Sequence, residues 1–204
     1  MRVKYENPLA RGGLDTLHVP PMIYPFTLKP TMLAIGVLLV VLHLLALLRS
    51  RESQVWLKGF PRSRFAGVLM MIVAGVWFFW LARTMDLGEF TPMRRALLIG
   101  GPVAAVLSIL YVKDFLAVRA FGILVLLAAE PLLEAAFLRE EQVRLLLVTL
   151  TYVHILAAMF WVGMPYLMRD LIGWVSSSQK RWRAAAFAGL AYGILLCAGG
   201  FACA

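Results

Sequence analysis

Six stretches of this chain are apolar for about the length a helix needs to cross a bilayer, and this limits its fold more than any other feature. A hydrocarbon core of about 30 Å takes about 20 helical residues. The runs fall at 31–48, 65–84, 95–112, 115–137, 145–168 and 183–203. Helices are the element that fits, because backbone groups facing lipid must bond within their own segment and an open sheet edge cannot. The in–out alternation of a membrane barrel strand is absent. Composition agrees: of 204 residues, 62% are hydrophobic and 15% charged, with mean hydropathy +0.82. Soluble domains run at about 45–50% apolar and about 25% charged, and a globule of this size cannot hide the excess. A soluble enzyme, a disordered regulator and a secreted disulfide scaffold are excluded. The expected fold is all-α, a polytopic transmembrane bundle over 31–204 with an extramembrane N-terminal arm at 1–30.

The arm carries Arg2, Lys4, Glu6, Arg11, Asp15 and five prolines, and no apolar core of a cleavable signal. The run beginning at Thr31 is then expected to act as the insertion signal. A polar arm of this kind frays unless something holds it, which points to other membrane subunits or to self-association. Spans three and four are separated only by Lys113 and Asp114, so a tight helical hairpin is expected there. Basic residues cluster in loops 49–64 and 169–183. By the positive-inside rule these face the cytoplasm, with both termini outside. With Lys113 of the third loop on the same side, the count is close, ten Lys and Arg inside against nine outside. The expected location is a bacterial inner (cytoplasmic) membrane. The net charge of +9 then belongs to lipid head groups and bound lipid. Nucleic acid is not an expected partner, since no recognition helix or phosphate loop accompanies the charge. Trp56, Trp77, Trp80, Trp174 and Trp182 are expected as interfacial anchors.

Polar groups inside the apolar runs are the candidate chemistry. Glu130 sits before Pro131, well inside span four, and Glu134 follows one turn later on the same face. A carboxylate in hydrocarbon must be neutral, paired or facing water. Pro131 also frees a carbonyl one turn back. These two residues are read as proton- or ligand-facing. Arg83, Asp86, Glu89, Arg94 and Arg95 form a charged rim at the same membrane face, expected to be interfacial ion pairs. His43 and His154, on spans one and five, lie at similar expected depth, as a bis-histidine haem b site or a quinone site requires. Cys197 and Cys203 are six apart on one run. About 9 Å of rise is too far for a disulfide, and no metal site is expected. Small residues in span six, including Gly189, Gly193, Gly199 and Gly200, suit close helix packing, within the bundle or at a subunit interface.

The string His154-Ile-Leu-Ala-Ala-Met-Phe-Trp161-Val-Gly163 resembles the His-x6-Trp-x-Gly stretch of copper-resistance-D-type membrane proteins and their haem-associated relatives. It covers about ten residues of one span, and no function is carried over from it. No complete catalytic constellation appears, so the reading leans away from an enzyme. The leading expectation is a non-catalytic accessory subunit of a larger membrane complex. The alternatives are a haem- or quinone-binding redox subunit using His43 and His154, and a proton-coupled transporter or channel using Glu130.

Overall fold

The computed structural model describes residue 24 and residues 26–112 and 114–203. The arm at 1–23 therefore lies outside the described residues. The elements are α1 (Leu28–Leu48), α2 (Ser50–Gly59), α3 (Arg64–Thr84), α4 (Arg94–Tyr111), α5 (Leu116–Ala136), α6 (Arg144–Gly163), α7 (Tyr166–Val175) and α8 (Gln179–Ala202). Short 3-10 turns at Phe60–Arg62 and Gly88–Met93 lead into α3 and α4. No strand occurs among the described residues. The chain is an all-α bundle in which six helices, α1, α3, α4, α5, α6 and α8, are long and apolar enough to cross a membrane, as an integral membrane protein requires.

The helices form two packed groups. α1 lies along α8, and α5 sits between α3 and α6, with α4 at the outer edge of α3. The groups meet at one end, where Leu28 and Met32 of α1, Ala136 of α5, Leu147 of α6 and Leu196 of α8 make a common core with Cys203. We call this the Tyr24 end and the opposite one the basic end.

The α1–α8 contact depends on missing side chains. A Cβ on Gly36 would lie 2.6 Å from Cys197 Sγ and 2.9 Å from the Gly193 carbonyl oxygen, and one on Gly193 would lie 3.0 Å from the Gly36 carbonyl. Lipid supplies no hydrophobic drive between helices, so close van der Waals approach does that work. The small-residue stripe of α8 is thus used inside the bundle, against α1. Cys197 fills that contact, and Cys203 is buried with its thiol on the Gly199 carbonyl at 3.3 Å.

Four expectations change. Span three and span four do not pack as a hairpin: α4 rests on α3, which stands between it and α5. The chain turns at Phe115, held in the left-handed region at φ 55°. Span five stops at Gly163 rather than 168, because Pro165 cannot donate to a helical carbonyl and forces Met164 out of the helical region. The chain resumes as α7, which packs at the basic end with α2. α1 begins at Leu28, inside the expected arm. Trp182 is not an interfacial anchor but is buried at 5% exposure, its indole donating to the Ala46 carbonyl at 2.9 Å.

Replacing Gly193 with leucine should overpack α1 against α8 at a cost of about 1–3 kcal/mol, read as a lower thermal midpoint in mild detergent. Replacing the solvent-facing Gly59, where a Cβ meets nothing within 4 Å, should leave that midpoint nearly unchanged.

Candidate functional site

Glu130 and Glu134 lie on the last two turns of α5, six and two residues from its end at Ala136. By helical rise they are about 9 Å and about 3 Å from that end, shallower than the apolar run implies. Neither faces outward into lipid alone; both are half-buried. Their surroundings come from two other elements. Tyr24, just before α1, is only 8% exposed. Its backbone N–H donates to Glu134 Oε2 at 3.1 Å, and its hydroxyl accepts from Trp77 Nε1 of α3 at 2.7 Å. Its ring lies 5.5 Å from the Trp80 ring at 54° and stacks on Phe26 at 5.8 Å and 9°. Burial pushes its phenol above the usual tyrosine value, against the opposing pull of the Trp77 hydrogen bond, so it remains a neutral hydroxyl.

The local reasons are simple. α3 places Trp77 and Trp80 three residues apart, on adjacent turns of one face. α5 places its carboxyls four apart, facing them. Pro131, inside α5, removes one main-chain donor beside Glu130 and leaves a carbonyl without its helical partner. The result is a pair of carboxyls, a bare carbonyl and four aromatic rings, Tyr24, Phe26, Trp77 and Trp80, at the Tyr24 end. Among the described residues no hydrogen bond to the Glu130 carboxyl forms, and Glu134 follows one turn later on the same helix. Such a group can take up and release a proton without breaking a structural bond.

The charged rim is expected to hold ion pairs, within the set or with Glu134, Arg139, Glu140, Glu141 and Arg144. Among the described residues, Arg83, Asp86, Glu89, Arg94 and Arg95 form no ion pair with each other. Arg94 instead donates to the Met85 carbonyl at 2.8 Å, and Asp86 accepts from the Gly88 N–H at 3.0 Å. These bonds shape the turn into α4.

The two histidines are each bonded within their own helix. His43 Nδ1 bonds the Leu39 carbonyl and His154 Nδ1 the Leu150 carbonyl, both at 2.8 Å. A carbonyl can only accept, so each Nδ1 carries the proton and each Nε2 is left as an acceptor. That tautomer would suit iron, but His43 Nε2 is pressed against Gly189 of α8, where not even a Cβ fits. From the helix starts at Leu28 and Arg144, the two differ in depth by about 7 Å. The same tautomer cannot donate to a quinone oxygen. Among the described residues no three His, Cys, Asp or Glu side chains converge as metal ligands.

Tyr24 and Arg119 are the polar residues that no sequence motif marks. Arg119 is a lone cation near the start of α5, and it was visible as such within an apolar run. Its Nη1 donates to the Val162 carbonyl at 3.0 Å, at the C-terminus of α6, where carbonyls lack helical donors and the dipole favours a cation. Tyr24 had no signal, because its role depends on which helices lie beside it.

No protein-family model, curated protein or solved structure matches the chain.

Replacing Trp77 with phenylalanine keeps the ring and removes the indole donor to Tyr24. It should cost about 1 kcal/mol and leave the Tyr24 backbone on Glu134. Thermal unfolding in detergent checks the size, and a loss above about 3 kcal/mol would contradict so local a role.

Proposed function

We propose that the chain is a membrane protein that works through the Glu130–Glu134 pair, as a proton-coupled transporter or channel in which Glu130 is the group that changes protonation. The observation that carries this reading is the division of labour between the two carboxyls. Glu134 is fixed by the Tyr24 backbone, whereas no hydrogen bond to Glu130 forms among the described residues. Ionisable side chains in spans are expensive and mark ion and proton pathways. The charge distribution supports the basic end lying in the cytoplasm of a bacterial inner membrane, which puts the carboxyls and both termini on the outer side.

A second reading is an accessory subunit of a larger membrane complex. It is favoured by α4, which packs mainly on α3 and has no buried residue. An edge helix of that kind offers an apolar face to a partner subunit as readily as to lipid. The redox-subunit reading has no such support, since the His43 ring is already enclosed by α8.

The test is proton flux in liposomes holding the purified chain. Glu130→Gln keeps the shape and removes the exchangeable charge, and flux should fall by roughly a factor of ten or more, in the range that positioned proton-transfer groups contribute. Glu134→Gln should have the smaller effect. Equal flux for wild type and Glu130→Gln overturns the proposal. A chain that carries no flux alone, but co-purifies in stoichiometric amount with other membrane chains, favours the second reading.

A further inference from the structure

The two ends of the bundle carry very different charge. Among the described residues, the basic end holds ten Lys and Arg against three Asp and Glu, whereas the Tyr24 end holds six against six. Two of the three acids at the basic end are already matched within their own helix or turn: Glu52 pairs with Arg49 at 3.4 Å, and Asp170 with Arg169 at 2.7 Å. Arg51, Lys58, Arg62, Arg64, Arg181 and Arg183 have no carboxylate partner among the described residues.

Arg51 and Lys58 lie on α2, Arg62 and Arg64 on the turn into α3 and its first residue, and Arg181 and Arg183 at the start of α8, so the surplus surrounds the two short helices α2 and α7. Both are anchored from one side. Leu57 of α2 and Met168 and Ile172 of α7 pack with Val118, Phe60 and Trp161, and Gln54 of α2 donates to Gln179 of α8 at 3.1 Å. The opposite faces have no protein covering among the described residues. On α2, Val55 is 74% exposed and Trp56 69%, between Arg51 and Lys58. On α7, Leu171 and Trp174 are exposed, and the Arg181 guanidinium sits 4.8 Å over the Trp174 ring. A shallow groove runs from α2 to the start of α3, floored by Val55, Trp56, Phe60 and Ala66, and Arg51 borders the adjoining hollow. Apolar and aromatic side chains that alternate with unpaired cations are the make-up of a helix lying in the headgroup layer. Neutral lipid would satisfy the tryptophans and leave the cations unmatched.

We infer that the α2–α7 surface is a binding surface for anionic phospholipid, with the phosphates on the unpaired Arg and Lys side chains and acyl chains over Val55, Trp56 and Trp174. The inference is independent of Glu130, which lies at the other end.

The full chain is placed in nanodiscs of phosphatidylcholine alone and of phosphatidylcholine mixed with phosphatidylglycerol. Lipid retained after detergent extraction is counted by native mass spectrometry. Phosphatidylglycerol should be enriched by roughly tenfold or more, given the attraction of each basic side chain near an anionic surface. The enrichment should fall as salt is raised. The quadruple variant Arg51→Gln, Lys58→Gln, Arg62→Gln, Arg181→Gln should abolish it, and Lys29→Gln, Arg95→Gln, Arg139→Gln at the other end should not. Equal retention of the two lipids, an enrichment unmoved by salt, or an equal loss from both variants overturns the inference. So does an acidic polypeptide that co-purifies through these residues without any phosphatidylglycerol enrichment. If the quadruple variant does not fold, the salt dependence of the wild type decides.

Discussion

Hydrocarbon offers no hydrogen bonds, and almost every polar group in this bundle is placed in answer to that. Polar side chains in the spans mostly turn back on their own helix. Thr31 and Thr151 donate to carbonyls four residues earlier, and His43 and His154 do the same through Nδ1. Where a donor crosses between two spanning helices, it finds a main-chain carbonyl. Trp182 reaches Ala46, Arg119 reaches Val162, and the Tyr192 hydroxyl reaches Leu146 at 2.8 Å. Each such link closes one unsatisfied group at little cost, since the acceptor is already fixed by its helix. The carboxyls at the Tyr24 end stand apart from this economy. Glu134 meets the backbone N–H of Tyr24, whose hydroxyl in turn takes the Trp77 indole donor, while no hydrogen bond to Glu130 forms among the described residues.

The spans were legible because the signal is long. Twenty apolar residues leave one structural solution, and the helix limits lie within four residues of the runs, apart from span five. That exception was also written in the sequence, as Pro165 two residues after Gly163. The neighbours of each helix were not legible. Nothing in Lys113–Asp114 says that α3 will stand between α4 and α5, because that arrangement is set by side-chain fit along whole helices. The small residues of α8 announced a close contact without saying with what; the answer, α1, follows from Gly36 and Gly193 facing each other.

The site was legible in part. Glu130 and Glu134 stand out as carboxyls in oil, whatever surrounds them. The histidines stood out equally, yet their place in the bundle is ordinary: each ring is held by its own helix, and His43 fills the hollow over Gly189. Tyr24 shows the limit most clearly. It is one aromatic residue in a polar, proline-rich segment, and only the packing of α3 beside α5 gives it both a carboxylate and an indole to bond. Arg119 carried a signal, a single cation in an apolar run, whose meaning depended on the α6 terminus beside it.

The two ends of the bundle divide the chemistry. One gathers carboxyls and balanced charge; the other gathers cations without carboxylate partners among the described residues, on and beside α2 and α7. That polarity requires six crossings, with loops 49–63 and 164–178 on the same face. Single cysteines introduced at Ser53, Ser177, Thr91 and Glu140, in a chain whose Cys197 and Cys203 are replaced by alanine, test this directly in sealed vesicles with a membrane-impermeant maleimide. Ser53 and Ser177 should label from one side only, and Thr91 and Glu140 only from the other. Labelling of all four from a single side, or loss of the protein into the carbonate supernatant, would contradict the account.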